Sequence, residues 1–276
     1  MDFTYRRSYC GPLQAVILDW AGTTVDYGAF APAAVFLRIF DDRGVPINVE
    51  QARAPMGLMK KDHLRAIAES PDVARRWQEV HGKPCSAADI DAMFTEFSRL
   101  QIACLADYAS SVPGALEAIA EFHRLGLKIG STTGYTCDMM DVLVPEAARR
   151  GYSPDCWVCP SDVPAGRPFP YMCYLNAIRL QVYPMQAMVK VGDTLPDIEE
   201  GLNAGMWTVG VALSGNMMGL THAGVTALTP SKLNQRRKQI SSDMYEAGAH
   251  FVVDTIAGVP SVLEEIQSYL RSGERP

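Results

Sequence analysis

The run LQAVILDWAGTTVDY, residues 13–27, decides how the chain is organised. Four apolar residues, Ala15, Val16, Ile17 and Leu18, end abruptly in Asp19, and the small turn-formers Ala21, Gly22, Thr23 and Thr24 precede a second carboxylate, Asp26. A short apolar run bounded in this way reads as a buried strand, and an open α/β sheet places its ligand chemistry just beyond the carboxyl ends of its strands. On this stretch alone Asp19 is as readily a loop-capping residue as a catalytic one.

The chain that follows supplies the context. Residues 30–44 carry Val35, Phe36, Ile39 and Phe40 at helical spacing and stop at Gly44. Further helices are expected over 49–69, 71–80 and 86–105, the last opened by Ser86 with Asp89 three residues on, a capping arrangement. None of this region offers a strand, so it reads as a helical insert placed straight after the first strand. From Val112 the rhythm changes. Pro113 and Gly114 open a helix whose inward face is expected to be Leu116, Ile119, Ala120 and Leu125, and Gly126 ends it. A strand over 127–131 runs into STTG, a helix over 137–150 and a strand over 156–159 follow, and a helix over 170–180 leads to a strand over 188–191 that runs into GDT. Strands over 207–212 and 251–253, separated by a polar helix over 231–247, complete the set.

Strands alternating with helices predict an α/β fold, a doubly wound, mostly parallel sheet with a Rossmann-like core. The expected division is a core of residues 1–28 and 106–276 and a helical cap of residues 29–105. Right-handed crossovers would set every strand's carboxyl end along one edge. The residues just after successive strands are Asp19, then Thr132 and Thr133, then Arg167 in a loop, then Asp193 with Asp197. Carboxylates, a hydroxyl and a guanidinium gathered at one edge suit phosphoryl transfer with a divalent metal, and oxygen ligands of this kind suit Mg²⁺.

Bulk properties agree. The 276 residues allow one large or two unequal domains, and 25 basic against 31 acidic residues argue against a nucleic acid or an anionic membrane as partner. No run approaches the roughly 18 apolar residues of a membrane span. The amino-terminal MDFTYRRSYCG has two arginines but no apolar run of signal-peptide length behind them, so a cytoplasmic, soluble protein is expected. Seven scattered cysteines fit reduced thiols, and the pair Cys156 and Cys159 lacks the second pair that a zinc site needs. The basic run Arg236, Arg237 and Lys238 reads as a solvated helix face.

Asp19 followed by AGT, the strand-end Thr133, the downstream Arg167 and GDTLPD (residues 192–197) resemble the four motifs of the haloacid dehalogenase superfamily of aspartate-nucleophile phosphotransferases. The helical insert resembles that superfamily's mobile cap. One departure is informative: the superfamily's phosphatases place a second Asp two residues after the nucleophile to protonate a departing alkoxide, and here that position is Ala21. Proton donation of this kind contributes on the order of 10²- to 10⁴-fold, so the leaving group needs another activation. In APMGLMKKDHLRA, residues 54–66, a continuous helix would put Met56, Lys60 and His63 on one face and turn Lys61 about 100° away. A Lys packed against methionines would have a lowered pKa and could form a Schiff base; a solvated Lys-Lys-Asp helix surface is the plain alternative.

Together DWAGTTVDYG, PMGLMKKDH, STTGYT, DVPAGRPFPYMCY and VKVGDTLPDI closely resemble the phosphonatases, the phosphonoacetaldehyde hydrolase family of that superfamily. The resemblance implies cleavage of a carbon–phosphorus bond in the use of 2-aminoethylphosphonate, through an imine on Lys60 and an aspartyl-phosphate on Asp19. It implies Mg²⁺ held by Asp19, the Ala21 backbone carbonyl and Asp193, with Asp197 supporting that shell. Thr133 and Arg167 would bind the phosphonate, Gly134 and Tyr135 would shape the loop, and His63 and Met56 would flank Lys60. It also implies a homodimer. Ala29 stands where the family has a cysteine, so no thiol role transfers. A phosphatase or phosphomutase of the same superfamily, or a noncatalytic phosphate-binding protein, are the alternatives. Residues 27–29 and 107–112 are the expected hinges.

Overall fold

The computed structural model describes residues 8–276, so the expectation drawn from Arg6 and Arg7 lies outside the described residues. The sheet has six strands, β1 (Ala15–Leu18), β2 (Lys128–Thr132), β3 (Cys156–Val158), β4 (Met188–Gly192), β5 (Trp207–Val211) and β6 (Phe251–Val253). They lie in the order β3-β2-β1-β4-β5-β6, and every pairing is parallel. β1 sits mid-sheet and is fully buried, as its unbroken apolar run requires. Register places the chemistry: Leu18 lies opposite Ser131 on one side and Val191 on the other. The residues just beyond, Asp19, Thr132, Thr133 and Asp193, therefore emerge together at one edge.

Five helices, α1 (Phe30–Asp41), α2 (Val49–Arg53), α3 (Lys60–Glu69), α4 (Pro71–His81) and α5 (Ala87–Cys104), follow β1 with no strand among them. Helix α1 is entered through two non-glycine residues with positive φ, Asp26 and Ala29, with Gly28 between them, and Asp26 accepts the Phe30 and Ala31 amides at its start. Phe36 of α1 stacks on Phe97 of α5 and on His63 of α3, tying the helices to one another. The Ser86 and Asp89 arrangement closes as a reciprocal capping box. The remaining helices are α6 (Ala115–Arg124), α7 (Cys137–Arg149), α8 (Tyr171–Leu180), α9 (Leu195–Asn203), α10 (His222–Thr226), α11 (Pro230–Glu246) and α12 (Val259–Ser272). Among the described residues no helix is long and apolar enough to cross a membrane.

Three expectations are corrected. The continuous helix over 49–69 is two helices, because Pro55 removes an amide donor and Gly57 adopts a φ of 98°, which breaks the α ladder between them. The inward face of α6 is Ala115, Ala118, Ile119 and Phe122; Leu116, Ala120 and Leu125 are exposed. The helix starts at Ala115, and counting three, four and seven from there gives the buried stripe. The thiols are not all separate: Cys137, opening α7, is disulfide-bonded to Cys159, just past β3. Parallel packing of β2 beside β3 brings these two connections together, which linear spacing does not reveal.

Candidate active site

Three carboxylates meet at the sheet edge. The oxygens of Asp19, Asp193 and Asp197 lie within 4.8 Å of one another, and all three side chains are buried. Asp193 accepts the Asn216 amide at 2.6 Å and the Thr23 hydroxyl at 3.3 Å. Gly22 and Gly215 close around it; a Cβ at either would collide with its carboxylate. Burial first, then the neighbouring carboxylate charge, pushes Asp19 and Asp193 above the usual carboxylate range. Burial pushes Asp197 the same way, but Arg167 and Lys190 outweigh it and hold that carboxyl low. A donor set of two hard, mutually repelling carboxylates fits a divalent cation, whereas the oxygens of Asp197 are engaged by Lys190 at 2.6 Å, Arg167 at 3.1 Å and Thr194.

Ala21 belongs to the turn that follows β1, bridged to Val25, and it lines the same cavity as Asp19. The turn is wound on Trp20, whose carbonyl accepts the amides of Thr23, Thr24 and Val25 and whose indole donates to Ser131. A methyl group thus stands where an acid was expected.

Arg167 is held on several sides. It donates through Nη2 to Asp19 at 2.6 Å and Thr132 at 2.8 Å, and through Nε to Glu200 at 3.0 Å. Burial opposes its charge, but Asp197, Asp19 and Glu200 together raise its pKa well above the ordinary arginine value. Lys190, fully buried in β4, reaches Asp197 and lies 3.5 Å from Glu200. Sequence reasoning missed Lys190 and Glu200. The signal was available: a lysine inside an otherwise apolar strand demands buried acidic partners, and Glu200 lies three residues after Asp197 on the same face of α9.

Lys60 opens α3 and is only 4% exposed. Its Nζ lies 4.0 Å from the Met56 sulfur and 4.9 Å from the Tyr135 ring centroid. Burial lowers its pKa to about 8, with Asp19 opposing that shift and Arg167 adding to it. Lys61 turns away to pair with Asp91 at the surface, so the solvated-face alternative holds for Lys61 and not for Lys60. Met56 reaches Lys60 from the loop after Pro55 rather than from a shared helix face. His63 Nε2 donates to the Ala52 carbonyl at 2.9 Å, and its Nδ1 has no partner. Burial and the Lys60 charge keep this imidazole neutral.

Thr133 is buried and accepts the Tyr135 amide at 3.1 Å. The Leu58 carbonyl approaches Gly134 so closely that a Cβ there would lie 2.6 Å from it. Lys60, Met56, Ala29, Asp19, Ala21, Thr133, Gly134, Tyr135, Arg167 and Asp193 all line one cavity of about 20 Å³. Ala29 contributes only a methyl group to that wall. A larger groove of about 680 Å³ between α2, α9 and α11 shares Met56 and Thr194 with it. The geometry suits a reaction at phosphorus beside a buried amine of lowered pKa, with bulk water excluded.

A sequence model of haloacid dehalogenase-like hydrolases matches residues 13–205. A protein of Syntrophobacter fumaroxidans named phosphonoacetaldehyde hydrolase is 51% identical over 274 residues, covering 99% of each chain. One of the same name from Bacillus cereus is 51% identical over 255 residues, covering 92% of this chain and 97% of its own. A solved structure of a phosphonoacetaldehyde hydrolase-like protein from Oleispira antarctica superposes over the full length of both chains with a TM-score of 0.97 and 36% identity.

Proposed function

We propose that this chain, which belongs to the haloacid dehalogenase-like hydrolase family, cleaves phosphonoacetaldehyde through an imine on Lys60 and a phosphorylated Asp19. The overall reaction, carbon–phosphorus hydrolysis to acetaldehyde and phosphate, follows from half-identical, full-length relatives of that name. The observation that carries the chemical route is the buried Lys60 amine, lowered to about 8, in one cavity with Asp19, Thr133 and Arg167.

The neutral Lys60 amine adds to the aldehyde and loses water to form the imine. Met56 and the Tyr135 ring keep the nitrogen dry, and His63 offers Nδ1 for proton movement at that nitrogen. The Asp19 carboxylate attacks phosphorus while Arg167 and Thr133 orient the phosphonate oxygens. The carbon–phosphorus electrons pass to the protonated imine and give an enamine. Protonation at carbon and hydrolysis then release acetaldehyde and free Lys60, and water cleaves the acyl phosphate on Asp19. No alkoxide leaves, so Ala21 is sufficient where a phosphatase needs an acid. Asp19, Asp193 and the Ala21 carbonyl would hold Mg²⁺, which would supply the charge neutralisation that a carboxylate needs to approach an anionic phosphonate. Asp197 supports that shell from behind through Lys190 and Thr194.

A cavity of about 20 Å³ holds about one water, so substrate cannot enter it as it stands. We read residues 29–105 as a cap that opens on residues 27–29 and 107–112 and closes Lys60 over Asp19. A homodimer and a role in 2-aminoethylphosphonate breakdown belong to the same proposal. The test is product analysis: with Mg²⁺, phosphonoacetaldehyde yields equal amounts of acetaldehyde and phosphate, and Lys60→Arg, which keeps the charge and loses the nucleophile, yields neither. Retained cleavage by Lys60→Arg would favour a superfamily phosphatase without imine chemistry.

A further inference from the structure

Arg53, the last residue of α2, is only 8% exposed and bridges the helical insert to the sheet domain. Its Nη1 donates to the Gly28 carbonyl at 2.7 Å and to the Asn216 side-chain oxygen at 3.0 Å. Asn216 answers with Nδ2, which donates to the Arg53 carbonyl at 3.2 Å. The pair is therefore reciprocal, each side chain bonding the other residue. The Asn216 amide donates to Asp193 at 2.6 Å, and two residues earlier Ser214 accepts the Gly28 amide and donates to the Gly22 carbonyl. One short loop after β5 thus touches the insert, its hinge, the turn after Asp19 and a carboxylate of the candidate metal site.

We propose that the Arg53 and Asn216 pair is a closure latch, through which docking of the cap sets the Asp193 carboxylate for cation binding. Both are positioning residues; neither lines the cavity around Lys60. When the cap opens, Arg53 leaves and the loop loses the side-chain bonds that fix Asn216, so its amide no longer pins Asp193. The latch is built to release. Among the described residues, Arg53 Nε and Nη2 are buried without hydrogen-bond partners, a cost of docking that the Phe30 ring beneath the guanidinium offsets only in part. A lid that must reopen for product needs a closed state of this modest stability. Linkage then works in both directions: if closure favours the cation, the cation favours closure by the same factor.

This inference rests on the reading of Asp193 as a metal ligand, and its test uses no phosphonate, so failure of the proposed reaction and failure of the latch are separate results. Mg²⁺ binding is measured by calorimetry on wild type, Arg53→Met, Arg53→Lys, Asn216→Ala and the Arg53→Met/Asn216→Ala double variant, with Asp193→Asn as the reference for loss of binding. Electrostatics alone predicts the opposite sign from the latch, because removing a cation near Asp193 should tighten Mg²⁺. The latch predicts weakening by about five-fold or more in Arg53→Met and in Asn216→Ala, with the double variant no weaker than the worse single one. Arg53→Lys, which keeps charge and most of the volume, falls in between. Amide hydrogen exchange over residues 49–59 should slow on adding Mg²⁺ to wild type and not to Asn216→Ala. Unchanged or tighter Mg²⁺ binding in Arg53→Met, or additive losses in the double variant, would overturn the latch.

Discussion

Among single residues, the proposed chemistry turns on an absence at Ala21 and a buried amine at Lys60. With a Lys60 pKa of about 8, only about a tenth of the amine is neutral one pH unit below that value. The neutral form is the nucleophile, so kcat/KM should rise with pH and level off above about 8, and a flat profile from pH 6 to 9 would contradict the assignment. Glu200 holds the Nε side of Arg167 and leaves Nη2 facing Asp19 and Thr132 and Nη1 facing Asp197. Glu200→Gln should cut kcat about 10- to 100-fold while leaving the Lys60 pH midpoint in place, read from pH-rate profiles. Asp19, Thr133, Arg167 and Asp193 were legible because each follows a recognisable strand. Arg53 and Asn216 were not, since each finds its partner 163 residues away and nothing local marks either, whereas Lys190 and Glu200 left a local trace, a lysine inside an apolar strand and an acid one helical turn after Asp197, that went unread.

At the scale of elements, all six strands were readable from short apolar runs between turn signals, and the register of β1 against β2 and β4 follows from their parallel order. The 49–69 helix failed because helical spacing of apolar residues continues across Pro55 and Gly57 while the backbone does not. That break brings Met56 onto Lys60 and the Leu58 carbonyl against Gly134. Gly57 has a φ of 98°, and a Cβ there would collide with Thr194 and lie 3.1 Å from Pro196. Gly57→Ala should push this loop off the sheet domain and wet Lys60. The pH midpoint should then move above 8 toward the ordinary lysine value, with roughly tenfold lower activity at pH 7 for each unit of movement. An unmoved midpoint would mean that the loop does not control the burial of Lys60.

At the scale of the whole molecule, the sheet domain contributes Asp19 and the helical insert Lys60 to one cavity, which is too small for the substrate, and the proposed reaction needs both. The doubly wound core was legible as a pattern of alternation; the contact between the two parts was not, because it depends on the turn of the 54–59 loop. On the proposed reading, the buried carboxylates of Asp19 and Asp193 would bind a divalent cation in the folded chain alone. Mg²⁺ at about a hundred times its dissociation constant should raise Tm by roughly 5 °C, an effect reversed by chelation and absent in Asp193→Asn. Whether Lys60 replaces the missing acid by forming an imine is decided by adding borohydride during turnover of phosphonoacetaldehyde and mapping the modified peptide by mass spectrometry. Irreversible inactivation with the added mass on Lys60 is expected; full turnover with Lys60 unmodified would rule out the imine.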